Sequence, residues 1–115
     1  MTLLQVGHHG SNTSSTPAWL DQARPTYAVI SSGLPGEGTN LTYCHPRAET
    51  IRALTVQMGG SGLGTVRAFP PAISCKTAPA GLPWLDEPAS DRLWATSRDG
   101  DVVLVTTGDG AFQRE

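Results

Sequence analysis

The sequence predicts an α/β fold, and three observations lead to that prediction. A short apolar run is followed by a helix signal, the same pair of signals then recurs, and a turn signal near the C-terminus separates two runs rich in β-branched residues. Strand and helix signals in alternation are typical of layered α/β proteins. With 115 residues, 38% of them hydrophobic, the chain can fill one modest core. We therefore expect residues 1–115 to form one domain at most.

The first strand and helix signals lie close to the N-terminus. Residues Thr2 to Val6 form an apolar-rich run that ends at Gly7, which predicts a strand followed by a loop. Hydroxyl side chains then precede Pro17, and a proline in the first helical position after such a cap is typical of a helix start. The helix is expected to end near Arg24, because the residue before a proline disfavours the helical region.

The second strand and helix signals are separated by a long loop. Residues Thr26 to Ser31 are rich in β-branched and aromatic side chains and predict a buried strand. The stretch "SGLPGEGTNLTYCHP" follows, with its glycines and prolines and no regular period, and a loop of this length is commonly functional. A helix is predicted to begin with Pro46 as its first residue and to end at Gly59.

The rest of the chain predicts mainly strands. Residues Thr65 to Phe69 have the composition of a third strand, and an irregular, proline-rich connection is expected at about 70–91. The segments 92–96 and 101–107 flank "SRDG", whose Asp-Gly pair is typical of a tight turn. They therefore predict a terminal β-hairpin.

Composition excludes some functions. Eight basic and ten acidic residues give a formal charge of −2, so no overall positive field attracts a polyanion, and nucleic-acid binding would have to be local and metal-assisted. No apolar stretch approaches the roughly 18 residues of a membrane span, and no membrane contact is expected from this segment. Cys44 and Cys75 form no CxxC pair, which favours free thiols, although a bridge between them stays open.

Candidate site residues follow the two predicted βα strands. His8 and His9 come directly after the first strand in "VGHHGSNTSS", and Asn40 and His45 lie in the loop after the second. Ligands of layered α/β proteins gather at the carboxyl ends of strands, so these side chains are candidates for one shared site. Ser11 and neighbouring hydroxyls could bind a phosphate or support a metal ligand.

Simpler interpretations of the same residues stay open. A His-His pair before glycine is typical of a solvated turn, and a histidine before a proline is typical of a residue that bonds backbone at a helix start. A catalytic zinc takes about three protein ligands, and the chain has no HxH, HxxxH or HExxH pair. A self-contained metal site is therefore not predicted from spacing.

A resemblance adds to this interpretation. The stretches "LLQVGHHGSNTSSTPAWLDQARPTYAVISSG", "CHP" and "ATSRDGDVVLVTTGDG" resemble the C-terminal half of a metallo-β-lactamase-fold hydrolase, in particular that of the competence DNA-uptake (ComEC) family and its stand-alone relatives. The match covers residues 3–58 and 92–110, and residues 59–91 are unmatched. The resemblance implies a partial αββα sandwich, so that residues 1–115 would be one partial domain.

The family's chemistry implies roles for the candidate residues. Two divalent metal ions, zinc or manganese, activate a bridging water for attack on a phosphodiester or a related bond. By resemblance, His9 is a metal ligand, and His8 orients it or contacts substrate. The resemblance implies that His8 and His45 are catalytic residues, with His45 on the substrate side, and that Ser11 and Asn40 bind substrate.

The family's other metal ligands are absent from this sequence. They come from an HxHxDH motif, a further histidine and a bridging aspartate, all N-terminal to the HHGS segment. We therefore expect the chain alone to bind metal weakly and to be inactive unless an N-terminal half or a partner chain supplies them. Both a cytoplasmic protein and one attached to a membrane protein are compatible with this. The alternative is a non-catalytic α/β binding or interaction module derived from the same fold.

Overall fold

The computed structural model describes residues 1–60, 64–71, 73–75 and 84–115, in which helices and strands are mixed. The α/β prediction is confirmed. No helix in these ranges has the length and apolar character needed to cross a bilayer. The elements are β1 Leu3–Gln5, α1 Pro17–Ala23, β2 Tyr27–Ile30, α2 Ala48–Met58, β3 Gly64–Ala68, β4 Leu85–Ala89, β5 Leu93–Ala95, α3 Thr96–Asp99, β6 Leu104–Val105 and β7 Gln113–Arg114, with 3-10 turns at Gly7–Gly10 and Gly38–Leu41.

A parallel sheet in the order β1-β2-β5 organises the core. Leu4 lies opposite Ala28, and Ala28 lies opposite Leu93, so one buried row crosses all three strands. Helices α1 and α2 contact each other. The buried cluster joins sheet and helices and consists mainly of aliphatic residues: Leu4, Val6, Leu20, Ala28, Ile30, Ala48, Ile51, Leu54, Met58, Val66, Ala68, Ala89, Leu93 and Ala95.

Helix α1 forms where the sequence predicts it. The Oγ1 atom of Thr16 accepts a hydrogen bond from the backbone N of Trp19 at 3.3 Å, and Pro17 is the first helical residue. Arg24 ends the helix before Pro25, as predicted, but it does so in the left-handed conformation common at helix C-termini, with its N donating to the Leu20 carbonyl at 2.8 Å. The hydroxyl cap and the two prolines therefore set the bounds of this helix.

Helix α2 begins later than predicted. Pro46 was expected as its first residue, but the helix starts at Ala48 and Arg47 is its extended N-cap. Hydrogen bonds to Phe69 explain the difference, since Phe69 N donates to the Pro46 carbonyl at 2.9 Å and Ala48 N donates to the Phe69 carbonyl at 2.9 Å. These bonds hold residues 46–48 beside the end of β3 in a bridge rather than in a helical turn.

The predicted irregular connection contains a strand, β4, which pairs antiparallel with β3. Pro88 and the acidic residues before it hide this strand in the sequence, because proline and acidic residues are depleted in strands. Glu87 is buried, yet both of its carboxylate oxygens accept bonds from the Arg52 guanidinium of α2, at 2.8 and 3.2 Å. This ion pair lets an acidic residue occupy an inward position. Residues 72 and 76–83 of the predicted connection lie outside the described residues.

The predicted hairpin around "SRDG" is wrong. β5 pairs in parallel with β2, and the residues after it form the short helix α3. Asp99 stabilises that helical turn, because its Oδ2 atom accepts from the backbone N of Ala95 at 3.0 Å. The terminal hairpin instead consists of β6 and β7.

The two cysteines form a disulfide, so the expectation of free thiols is wrong. Cys44 and Cys75 are bonded, and their Cα atoms are 5.9 Å apart. The bridge between Arg47 and Phe69 explains their proximity, because it brings the chain that follows β3 next to the end of the loop before α2. A separation of 31 residues in sequence gave no indication of this contact.

We predict that Gly10→Ala lowers the free energy of unfolding by about 2 to 5 kcal/mol, measured by urea denaturation. Gly10 has a φ of +87°, and a Cβ there would lie 2.6 Å from the Cβ of Pro46. A left-handed alanine costs about 1 to 2 kcal/mol, and overpacking adds about 1 to 3 kcal/mol. Gly108→Ala is the matched control, because Gly108 has a φ of +90° and open space around it. Equal losses in the two variants would contradict the packing argument.

Candidate functional site

All three histidines of the chain line one cleft at the carboxyl ends of β1 and β2. The cleft has a volume of about 560 Å³ and is lined by His8, His9, Ser11, Tyr43 and His45. We call it the histidine cleft. The turn after β1 supplies the first three of these residues, and the loop between β2 and α2 supplies the other two. The structure therefore brings together four of the five candidate residues, His8, His9, Ser11 and His45, in this cleft.

The turn that carries His8 and His9 has an unusual backbone. Both residues are left-handed, with φ values of 45° and 55°, a conformation that costs a non-glycine residue about 1 to 2 kcal/mol. Two hydrogen bonds hold the turn: Ser11 N donates to the His8 carbonyl at 3.0 Å, and Ser14 Oγ donates to the Gly7 carbonyl at 2.8 Å. Such backbone strain is common at functional sites.

The ring of His9 is oriented by one hydrogen bond. Its Nδ1 atom lies 2.6 Å from the carbonyl oxygen of Ser31, the residue that follows β2. A carbonyl oxygen only accepts, so Nδ1 carries the proton in this bond. In the neutral ring, Nε2 then holds a lone pair. This is the tautomer of a histidine that ligates a metal through Nε2.

His45 is half-buried, and its ring stacks against that of Tyr43 with centroids 6.2 Å apart. Burial lowers the pKa of His45 below its ordinary value of 6.5, and the positive charges of His9, Arg47 and His8 lower it further. His45 is therefore mainly neutral at pH 7, when its ring has one donor nitrogen and one acceptor nitrogen.

Asn40 is buried and holds the backbone around His45. Its Nδ2 atom donates to the carbonyls of Gly33 at 3.0 Å and His45 at 2.8 Å, and its Oδ1 atom accepts from His45 N at 3.0 Å. The amide thus makes contacts that position the loop. A substrate-binding role for Asn40 stays a prediction.

Ser11 lies in the cleft wall and is also bonded locally. Its Oγ atom is 2.9 Å from Thr13 Oγ1 and accepts from Thr13 N at 3.3 Å. Ser11 is buried, so these bonds stabilise the chain where it leaves the histidine turn. Whether Ser11 also binds substrate stays a prediction.

A smaller pocket adjoins the cleft, and the sequence did not single out Ser31, Ser32 or Tyr43 in its lining. This inner pocket, of about 150 Å³, is lined by His9, Ser31, Ser32, Gly33, Asn40, Tyr43 and His45. It shares His9, Tyr43 and His45 with the histidine cleft. The serine pair at the end of the β2 signal and Tyr43 two residues before His45 were the available indications. All three residues are polar and follow the end of β2.

A complete metal site is not formed by the described residues. Among them, no group of three or more histidine, cysteine, aspartate or glutamate side chains is arranged to hold a metal ion. The geometry of His9 fits one ligand position, whereas catalytic metal sites take about three protein ligands. Any site that includes His9 therefore needs ligands from elsewhere.

A larger groove lies between α1 and α2. It has a volume of about 650 Å³ and is lined by residues that include Leu20 and Val56. Its charged residues are of both signs: Asp21, Arg24, Glu49 and Arg52. No imidazole lines it, so the groups that act at neutral pH lie in the histidine cleft.

We predict that Asn40→Ala lowers the free energy of unfolding by about 2 to 3 kcal/mol, because it leaves buried backbone groups around His45 without their side-chain partner. The measurement is urea denaturation followed by circular dichroism. Asn12→Ala is the control, since the exposed Asn12 makes one bond, to Glu49 at 3.0 Å, and its loss should cost below about 1 kcal/mol. If Asn40→Ala lowers the free energy of unfolding as little as Asn12→Ala does, Asn40 does not stabilise the backbone around His45.

The lowered pKa of His45 predicts a pH dependence of stability. Between its folded pKa and 6.5, the unfolded state binds more protons than the folded state, so stability rises with pH. The chain should be fully stabilised above pH 6.5 and lose stability as the pH falls below it. His45→Gln should lose less on going from pH 7.5 to 5.5 in urea denaturation. His8 and His9 are present in both proteins, so equal losses would count against this role of His45.

Comparisons with known proteins find two partial relatives. The chain is 40% identical over 73 residues to "Competence protein ComA" of Neisseria gonorrhoeae, covering 54% of this chain and 10% of that protein. It is 61% identical over 31 residues to "Recombination protein 2" of Haemophilus influenzae, covering 27% of this chain and 4% of that protein. No protein-family model matches the chain. No solved structure matches it either. The chain is thus similar to short segments of much longer proteins, one of which is named for competence.

Proposed function

We propose that this chain forms one wall of the active site of a metal-dependent hydrolase of the competence DNA-uptake type, acting on phosphodiesters. The observation that carries the proposal is the His9 ring, fixed by the Ser31 carbonyl at the mouth of a cleft that also holds His8 and His45. Similarity to a competence protein supports the assignment to DNA uptake. On its own, the chain lacks a full ligand set among its described residues.

His9 is the residue best suited to hold a metal. Histidine ligands commonly donate their second ring N–H to a backbone carbonyl, which fixes the tautomer and makes the ligating nitrogen more basic. The His9 Nδ1 contact with Ser31 has this form. Further ligands would come from a second chain or from residues other than those described. A bound divalent metal would supply Lewis acidity and lower the pKa of a coordinated water.

His8 and His45 are suited to work on the substrate side. His45 is mainly neutral at pH 7, so its ring can accept a proton or donate one to a substrate oxygen. Its loop is held by Asn40, which keeps the ring beside the cleft. His8 is exposed, lies on the same left-handed turn as His9 and also lines the cleft. We assign it to substrate contact or to support of His9.

A second function is favoured by the face of the parallel sheet opposite the buried row. Leu3, Tyr27, Val29 and Trp94 alternate with the core residues and are exposed or half-buried in the described structure. Parallel sheets are usually covered on both faces. The second candidate function is therefore that of a non-catalytic module, which binds another protein through this face of the sheet.

The two functions are distinguished by a chimera. The matching segment of the gonococcal competence protein is replaced by the corresponding segment of this chain, and transformation by added DNA is measured. We expect the chimera to transform, and His9→Gln within it to lower transformation by about 100-fold or more, because a metal ligand is removed. The control is Asn12→Ala, which changes an exposed residue of the same loop.

Comparable protein levels of the three chimeras are verified by immunoblotting. A chimera that transforms equally well with and without His9→Gln would refute the metal role and favour the binding module. A fall of similar size in the Asn12→Ala control would show that the loop is sensitive to any change, and would also count against a specific role of His9.

A further inference from the structure

We propose that Thr96 is a positioning residue, which fixes the ring of His9 through the peptide group that joins Ser31 to Ser32. Thr96 is the first residue of α3, in the stretch "ATSRDG", to which the proposed function gives no role. It is not among the described residues that line the histidine cleft or the inner pocket, so its effect has to pass through another residue. The effect on the ring needs no metal, whereas its value to a metal ligand rests on the proposed function.

One peptide group lies between Thr96 and His9. Its carbonyl oxygen, that of Ser31, lies 2.6 Å from His9 Nδ1, and its N–H, that of Ser32, donates to Thr96 Oγ1 at 2.9 Å. The carbonyl and the N–H of a trans peptide group lie in one plane and point in opposite directions. Thr96 and His9 are therefore bonded to opposite sides of one rigid group, whose orientation sets the position of the oxygen that holds the ring.

The Thr96 hydroxyl holds the backbone of Ser32 with both of its hydrogen-bonding functions. Its Oγ1 atom accepts from Ser32 N and donates to the Ser32 carbonyl, both at 2.9 Å. The carbonyl can only accept, so the hydroxyl hydrogen points to it and a lone pair is left for the Ser32 N–H. A valine has the shape of threonine but could make neither bond. The hydroxyl therefore fixes the backbone directly after the end of β2.

The same bonds form a chain that strengthens the contact with His9. From the ring, the order is His9 Nδ1–H, the Ser31 carbonyl, the Ser32 N–H and Thr96 Oγ1. Hydrogen bonds in such a chain polarise one another, so an amide whose N–H is bonded has a better acceptor oxygen. A better acceptor favours the tautomer with the proton on Nδ1, which leaves the lone pair on Nε2. Loss of the Thr96 hydroxyl would therefore shift the ring toward the other tautomer.

The fold places Thr96 beside the end of β2 and holds it there. In the pairing of β2 with β5, Ala95 lies opposite Ile30, so Thr96 lies next to the residues that follow β2. The carboxylate of Asp99 then fixes the turn, because it accepts from Ala95 N at 3.0 Å and from the Arg98 side chain at 2.9 Å. A threonine distant in sequence is thus held in register with the peptide group that orients His9.

The test is NMR spectroscopy of the 15N-labelled 115-residue chain, in chelator at about pH 8.5, where histidine rings are neutral. Long-range correlations between ring protons and nitrogens show which nitrogen of each ring carries the proton, and the His9→Gln variant identifies the signals of His9. Thr96→Val and Thr96→Ala each remove the hydroxyl, whereas Thr96→Ser keeps it. Circular dichroism verifies that each variant is folded.

Thr55→Val is the matched control. Thr55 is half-buried, as Thr96 is, and its Oγ1 atom accepts from the backbone N of Ser90 at 3.1 Å. It lies on α2 and does not belong to the chain of bonds that reaches His9. A general effect of losing a threonine hydroxyl would therefore be seen in this variant as well.

We expect the native chain, Thr96→Ser and Thr55→Val to carry the His9 proton on Nδ1. In Thr96→Val and Thr96→Ala, the ratio of the Nδ1–H to the Nε2–H tautomer should fall about fivefold, as the loss of one hydrogen bond predicts. If one of these two variants does not fold, the other decides. A native ring protonated on Nε2, an unchanged ratio without the hydroxyl, or an equal fall in Thr96→Ser or Thr55→Val would overturn the proposal.

This measurement is independent of the transformation assay, because it is made without metal or substrate. The expected fall in the tautomer ratio together with a chimera that does not respond to His9→Gln would support the role of Thr96 and count against the hydrolase. An unchanged ratio together with a chimera that does respond would overturn the role of Thr96 alone.

Discussion

The close contact between Gly10 and Pro46 is the constraint on which the rest of the site depends. There is no room for a Cβ between them, and Arg47 N donates to the Gly10 carbonyl at 3.0 Å beside the contact. The contact joins the end of the histidine turn to the start of α2, so His8 and His9 on one segment face His45 on the other. The hydrogen bond from His9 Nδ1 to the Ser31 carbonyl adds a second link between the histidine turn and the end of β2.

Two further devices hold the loop that carries His45. Asn40 bonds the backbone on both sides of the His45 peptide unit, and the disulfide of Cys44 ties the loop to the chain after β3. A loop with several glycines and few apolar residues needs such restraints, since its ordering costs conformational entropy that little burial offsets. The polar side chains of the site can then be presented from irregular backbone in a fixed arrangement.

Much of the first half of the chain could be predicted from local chemistry. Thr16 and Pro17 specify the start of α1, and the gathering of the histidines follows from the rule that strand ends share an edge.

The rest of the fold depended on contacts between distant residues. β4 could not be predicted because the pairing of Glu87 with Arg52 makes an acidic, proline-containing segment acceptable in a strand. The Asp-Gly pair suggested a hairpin. Instead, β5 pairs with β2, and Asp99 stabilises the helical turn that follows β5 by accepting a hydrogen bond from Ala95 N. Ser31, Ser32 and Tyr43, which line the inner pocket, were not predicted, because two serines at a strand end and a loop tyrosine have no distinctive spacing.

The order of the strands has a consequence for how the chain folds. β2 lies between β1, which precedes it closely, and β5, in which Leu93 pairs with Ala28. During synthesis, β2 can therefore pair with β1 early, but it can pair with β5 only after most of the chain has been made. Long-range parallel pairing of this kind is slow and leaves a strand edge open in the meantime. The edge of β2 that β5 will cover is therefore available to other strands until residues 93–95 pair with it.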